Sequence, residues 1–61
     1  MFPKERYVIV VDVGNGRCIS VDVRAYTGSE ARTVALLWAH QNYNNARVVF
    51  CNKTVGSVVI S

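Results

Sequence analysis

The fold is decided by residues 6–25, which read RYVIVVDVGNGRCISVDVRA. The first eight are mostly β-branched or aromatic and contain no glycine or proline, a composition typical of a strand. Residues 17–25 alternate between apolar and polar side chains, which predicts a second strand with one buried face. The Gly-Asn-Gly sequence at 14–16 is a strong hairpin signal. The stretch therefore predicts an antiparallel β-hairpin of strands 6–13 and 17–25.

The length of the hairpin loop decides which side chains of the first strand face the core. A three-residue loop over 14–16, with Gly16 in the left-handed conformation, places Val11 opposite Ile19. A two-residue Asn-Gly loop shifts the first strand by one residue and puts Asp12 beside Ile19 on the core side. Burying an unpaired carboxylate is costly, so we expect the three-residue loop.

A helix is predicted over residues 28–41. It begins at a capping box, because the Thr27 hydroxyl can accept a hydrogen bond from the N–H of Glu30, whose side chain can reach back to Thr27. Apolar residues at helical spacing then define its buried stripe: Ala31, Val34, Ala35 and Trp38. Residues 46–51 and 57–60 are predicted strands joined by a turn over 52–56, so the element order is β-β-α-β-β.

The expected fold class is α+β, with a four-stranded antiparallel sheet in the order 2-1-3-4 and one helix packed on one face. The whole chain, 1–61, is expected to form this single domain. A right-handed crossover through the helix leaves room for the first strand between the second and the third. The first strand is then central, which agrees with its apolar side chains on both faces. The expected core is Tyr7, Ile9, Val11, Ile19, Val21, Val23, Ala31, Val34, Trp38, Val48, Phe50, Val58 and Ile60.

The sheet face away from the helix is the expected contact surface. By strand parity it has valines at its centre and charged residues around them, which is the anatomy of an interface. The last strand adds an uncovered edge that can pair with another chain. Single exposed valines are also common on ordinary strands, so the pattern fits a plain surface as well. The predicted partner-binding residues are Arg6, Val8, Val10, Asp22, Arg24, Arg47 and Val49.

Composition predicts a small cytoplasmic protein. The chain has 61 residues, 51% of them hydrophobic, and a formal net charge of +3. Two cysteines, Cys18 and Cys51, are too few for a secreted disulfide scaffold, and no apolar leader precedes the first strand. No apolar run is long enough to cross a bilayer. We expect a complete chain in a reducing cytoplasm, with both thiols free and no membrane contact.

No catalytic, cofactor-binding or metal-ligating residue is predicted, so we expect neither an enzyme nor a cofactor. His40 is the single histidine, and the cysteines lack the C-x-x-C spacing of zinc sites. The glycine-rich loop at 14–16 precedes a strand, whereas a phosphate-binding loop opens a helix. On the helix, Leu36 lies well off the buried stripe and is expected to be exposed.

In size and layout the chain resembles the small orphan proteins that phages use against their hosts, including anti-CRISPR proteins. The resemblance lies in the length of 61 residues, the opening strand YVIVV at 7–11, the helix start TGSEA at 27–31 and the return strand ARVV at 46–49. It implies inhibition by binding a host protein in the host cytoplasm. It carries no functional residue over to this chain.

Three functions compete at this point. The first is a non-enzymatic protein-binding module that inhibits a host protein or complex by steric occlusion, with a homodimer through the open face or the edge strand. The alternative is a nucleic-acid-binding protein that uses Arg6, Arg24 and Arg47 on the open face, a hypothesis that rests on charge alone. The third is a thiol redox protein that uses Cys18 or Cys51, which would need a lowered thiol pKa.

Overall fold

The computed structural model describes residues 3–51 and 53–60, in which four strands and one helix follow the predicted order. The elements are β1 (Glu5–Gly14), β2 (Arg17–Ala25), α1 (Gly28–Asn42), β3 (Arg47–Val48) and β4 (Gly56–Ile60). The first two strands and the helix agree with their predicted bounds to within one residue. The third strand is shorter than the predicted 46–51. The predicted turn over 52–56 begins at Asn52, which lies outside the described residues.

The hairpin has the predicted register but not the predicted loop. Val11 lies opposite Ile19, and the pairs on either side follow in antiparallel order. The connection itself is a two-residue turn, because Asn15 (φ 55°) and Gly16 (φ 70°) both have positive φ, as a type I′ turn requires. The expected three-residue loop is therefore wrong, although the core-facing side chains that it was meant to explain are correct.

A β-bulge reconciles the short turn with this register. The pairing shifts between Asp12 and Gly14, so β1 has one residue more than β2 at this point. Gly14 adopts φ 110°, a conformation that side chains disfavour. The Asp12 carboxylate accepts a hydrogen bond from the Gly14 N–H at 2.8 Å, which holds the bulge and satisfies the carboxylate outside the core.

The order of strands is β3-β1-β2-β4, so the predicted 2-1-3-4 is wrong in the position of the last strand. β1 lies between β2 and β3, as predicted. β4 pairs with the free edge of β2 and runs parallel to it, with Val58 beside Val21, so the sheet is mixed and not all antiparallel. β3 is only two residues long and offers β4 few backbone partners, whereas β2 pairs along all five residues of β4.

The described residues between β3 and β4, 49–51 and 53–55, belong to a connection that crosses the sheet, because β3 and β4 lie on its opposite edges. Cys18 faces away from α1, since its neighbour Ile19 faces the core. The Cys51 thiol lies close enough to the Cys18 thiol to raise the pKa of Cys18, and the Val55 N–H donates to the Cys18 carbonyl at 2.8 Å. The crossing therefore runs over the face that the sequence predicted to be open, and it buries Cys18.

The helix packs on the other face through small side chains. Ala31, Ala35 and Ala39 recur every fourth residue and are completely buried, which brings the helix backbone close to the sheet. The predicted Val34 and Trp38 are only partly buried beside this stripe. The predicted N-cap is confirmed by a hydrogen bond of 3.1 Å from the Glu30 N–H to the Thr27 hydroxyl.

Two residues of the predicted core, Val48 and Phe50, are exposed. Strand alternation over 46–51 would have turned both toward the helix. The chain instead leaves β3 after Val48 to begin its crossing, so alternation no longer applies at Phe50. The other predicted core residues are buried or half-buried. The alanine stripe and Ala46 contribute core contacts in place of Val48 and Phe50.

Replacing Gly14 by alanine should destabilise the protein through backbone strain alone. A Cβ at this position meets no atom within 4 Å, but its φ of 110° is unfavourable for any side chain. We expect a loss of about 1–3 kcal/mol in the free energy of unfolding, measured by urea denaturation. The matched control is Gly56→Ala, where a Cβ also meets nothing and φ is not positive. Equal losses in the two variants would contradict this account of the bulge.

Enlarging the alanine stripe should also destabilise the protein. Ala35→Leu places three extra carbons where the helix touches the sheet, which should cost about 1–3 kcal/mol or more. Leu37→Ala on the same helix removes the same carbons from a side chain that is 59% exposed, and should change stability by less than about 0.5 kcal/mol. Thermal unfolding followed by circular dichroism measures both, and a neutral Ala35→Leu variant would show that the helix does not pack closely here.

Candidate functional site

The predicted partner-binding residues lie on one face of the sheet, which is called the outer face because α1 packs on the other. Arg6 pairs with Arg24, and Val8 with Asp22, across the β1–β2 ladder. Val10 follows on β1, with Val49 beside it, where the Val49 N–H donates to the Val10 carbonyl at 3.0 Å. Arg47 lies opposite Asp12 at the far end. The full set is Arg6, Val8, Val10, Asp22, Arg24, Arg47 and Val49.

The crossing segment divides the outer face into a covered and an uncovered part. The covered part surrounds Cys18, near the hairpin turn. The uncovered part contains Val8, which is 56% exposed, and Val59 of β4, which lies beside Asp22 on the same face. The face that was predicted to be open is therefore uncovered only at the end of the sheet away from the hairpin turn.

An ion pair joins two of the predicted rim charges. Arg6 Nε lies 2.6 Å from Asp22 Oδ2, on a diagonal across β1 and β2. The Arg6 side chain is largely exposed, so the pair contributes only about 0–1 kcal/mol to stability. Its main effect is to neutralise Arg6 locally and to hold its side chain across the sheet.

A cleft of about 430 Å³ lies at the edge of the sheet, beside β1. Val8 and Val10 border it from the outer face, whereas Ile9 borders it from the helix side. Its position follows from the short β3, which leaves β1 without a neighbouring strand before Val10. The remaining lining comes from α1 and from the start of the crossing segment: Arg32, Val48, Val49, Phe50 and Cys51.

Five residues of this cleft were not among the predicted site residues, and two of them, Phe50 and Arg32, matter most for binding. Phe50 was assigned to the core, yet it is fully exposed at the rim of the cleft, an unusual position for a large aromatic side chain. No role was predicted for Arg32. The position of Arg32 in the sequence could have indicated this role. Arg32 follows Ala31 of the buried stripe, so its side chain lies beside that stripe, toward one edge of the sheet.

The side of α1 that carries Arg32 faces β3. His40 lies eight residues further on this side, and its ring Nε2 donates to the carbonyl of Ala46, just before β3, at 2.9 Å. This bond gives His40 a structural role. Leu36, between them, is half-buried and not exposed as predicted, while Leu37 is the exposed leucine. Arg32 forms no ion pair with any of the four acidic side chains, all of which lie among the described residues.

The two thiols form a contact on the covered part of the outer face. The hydrogen bond with Cys51, together with burial, raises the pKa of Cys18 to about 11. A thiol with so high a pKa is almost entirely protonated at neutral pH and is a poor nucleophile. Cys51 donates to the carbonyl of Lys53 at 3.0 Å. Within residues 3–51 and 53–60, no three side chains of the metal-binding types gather into a group that could hold a metal ion.

The three arginines of the nucleic-acid hypothesis share the outer face but do not form one cluster. Arg6 and Arg24 are cross-strand neighbours, and Asp22 already pairs with Arg6. Arg47 lies beside Asp12, six residues along β1 from Arg6, which corresponds to roughly 20 Å in a strand. Val8 and Val10 separate the two ends. The face therefore lacks a continuous positive track.

Comparison of the chain with protein-family models, with curated proteins and with solved structures gave no match. Among the described residues, no helix has both the length and the apolar character needed to cross a membrane.

The thiol pair predicts unequal labelling. At pH 8 in the folded protein, iodoacetamide should alkylate Cys51 and leave Cys18 unmodified, because burial and the raised pKa keep Cys18 protonated and covered. Mass spectrometry should show one adduct on the native chain and two in urea. In Cys51→Ala the hydrogen-bond partner is gone, so the pKa of Cys18 should fall and its labelling should accelerate. Fast labelling of Cys18 in the unaltered protein would contradict the contact.

Proposed function

We propose that this chain is a non-enzymatic protein-binding module that inhibits a host protein or complex by steric occlusion. The observation that carries the proposal is the aromatic ring of Phe50, fully exposed beside the exposed Val8 at the edge cleft. Burying one such ring is worth about 1.5–3 kcal/mol, a benefit that the isolated chain does not obtain. Aromatic anchors beside apolar clefts are typical of the residues that dominate protein interfaces.

The charges around this patch support a protein partner. Arg32 lines the cleft and has no acidic partner within the described part of the chain, and Arg24 lies further along the outer face. An apolar centre with arginine at its margin matches the composition of interface patches, in which aromatic residues and arginine are enriched. The inhibitory part of the proposal rests on the resemblance in size and layout to phage proteins that act against their hosts.

Steric occlusion is the mode of action that suits this chain. The sequence predicts no group of catalytic side chains in its 61 residues. The chain would therefore act on a partner by covering part of the partner's surface. A homodimer is the alternative use of the same patch. A nucleic-acid function has weaker support, since Arg47 is remote from the other two arginines and Arg6 is neutralised by Asp22.

The test compares apolar residues at the patch with equally exposed ones elsewhere. Val8→Lys and Phe50→Ser should abolish capture of a stoichiometric protein partner from the host cell, because they remove the anchor and charge the centre of the patch. Val59→Lys and Leu37→Ser are the matched controls, since these side chains are exposed but lie away from the cleft. We expect the controls to bind as the unaltered chain does, with circular dichroism confirming that all four variants fold.

Three results would contradict the proposal. The first is equal binding by all four variants, and the second is a partner whose activity does not fall as the chain is added in excess. The third is light scattering that shows a stable dimer dissociated by Val8→Lys and Phe50→Ser, because the patch would then be covered by a second copy.

A further inference from the structure

The first half of β1 is an unpaired sheet edge. β3 pairs with β1 only at Val11 and Asp12, and the Val49 N–H then bonds to the Val10 carbonyl. The N–H and C=O groups of a strand point to alternate sides, so those of Val8 and Arg6 point to the same side as those of Val10. Among the described residues, no strand continues beyond β3 to meet them.

The direction of β3 defines the direction in which a further strand could continue along this edge. β3 runs antiparallel to β1 and leaves the sheet at Val49 to begin its crossing. An extended segment that continued along β1 from this point would meet the backbone groups of Val8 and then of Arg6. The edge cleft lies at the start of this path, with Phe50 at its rim. A segment that pairs with the edge would thus bring its first side chains against Val8, Val10 and Phe50.

The charges at the edge decide what kind of segment fits. The Lys4 ammonium lies over the ring of Tyr26, 5.5 Å from its centroid, and Glu5 is acidic, so the positive charge at the cleft is that of Arg32. Arg6 is paired with Asp22, whereas Arg32 has no acidic partner among the described residues and lines the cleft. A second copy that paired through the same edge would add another Arg32, of like charge. A segment with a carboxylate near its apolar residue would instead complement Arg32.

We propose that a partner protein adds an extended segment to the β1 edge over Glu5–Val10, with an apolar side chain in the edge cleft and a carboxylate against Arg32. The inference rests on the proposed protein-binding function and specifies its mode, which is β-strand addition. Main-chain hydrogen bonds to Arg6 and Val8 provide affinity, while the cleft and Arg32 provide specificity.

Selection of peptides from a random dodecapeptide display library, with the full chain as target, tests the proposal directly. Enriched peptides should carry an aromatic or aliphatic residue close to an aspartate or glutamate. Titration of a synthetic copy of one enriched peptide, followed by amide hydrogen exchange, should slow exchange at Arg6 and Val8 and leave the β4 amides unchanged. Arg32→Glu should weaken binding by about tenfold or more, through loss of the carboxylate contact and repulsion.

The matched control is Arg17→Glu, which makes the same charge change at an exposed position beside the hairpin turn, away from the cleft, and should change affinity by less than about twofold. Three results would overturn the inference: no enrichment, protection at β4 instead of β1, or equal losses in the two arginine variants. Each leaves the protein-binding proposal standing if Phe50→Ser still abolishes partner capture. Loss of partner capture in none of the patch variants would contradict the protein-binding proposal itself.

Discussion

The placement of β3 and β4 on opposite edges of the sheet is the constraint on which the other features depend. It requires the connection between them to cross β1 and β2, and the helix already occupies one face, so the crossing takes the other. Three consequences follow: β3 ends after two residues, Cys18 is buried under the chain, and Phe50 is released into solvent at the start of the crossing. A further consequence is the uncovered backbone edge along the first half of β1, because β3 ends before it reaches these residues.

The local parts of the fold could be predicted from the sequence, and the long-range part could not. Alternation over 17–25 and the need to keep Asp12 out of the core led to the correct hairpin register, although a bulge and a type I′ turn achieve it together. The Thr27 cap and the helix bounds follow from residues adjacent in the chain. The partner of β4 does not, because the alternation of 57–60 suits an edge position beside either β2 or β3.

The candidate site shows the same division. Strand parity correctly placed Arg6, Val8 and Arg24 on one face, because it depends only on neighbours in the same strand. It failed for Phe50, since alternation holds only while a segment remains in a strand and the chain leaves β3 after Val48. Arg32 was missed for a related reason: its importance arises from a cleft that exists only because β3 is short.

The parallel pairing of β4 with β2 also sets an order of assembly. The hairpin closes a two-residue loop, whereas pairing Gly56 with Ile19 must first bring together segments that are distant along the chain, at a larger cost in entropy. We therefore expect this pairing to form after the hairpin. Cys18 sits beneath the segment that leads into β4, so its thiol is shielded only when the last strand docks. The exposure of the Cys18 thiol therefore distinguishes the complete four-stranded sheet from a hairpin on which β4 has not yet docked.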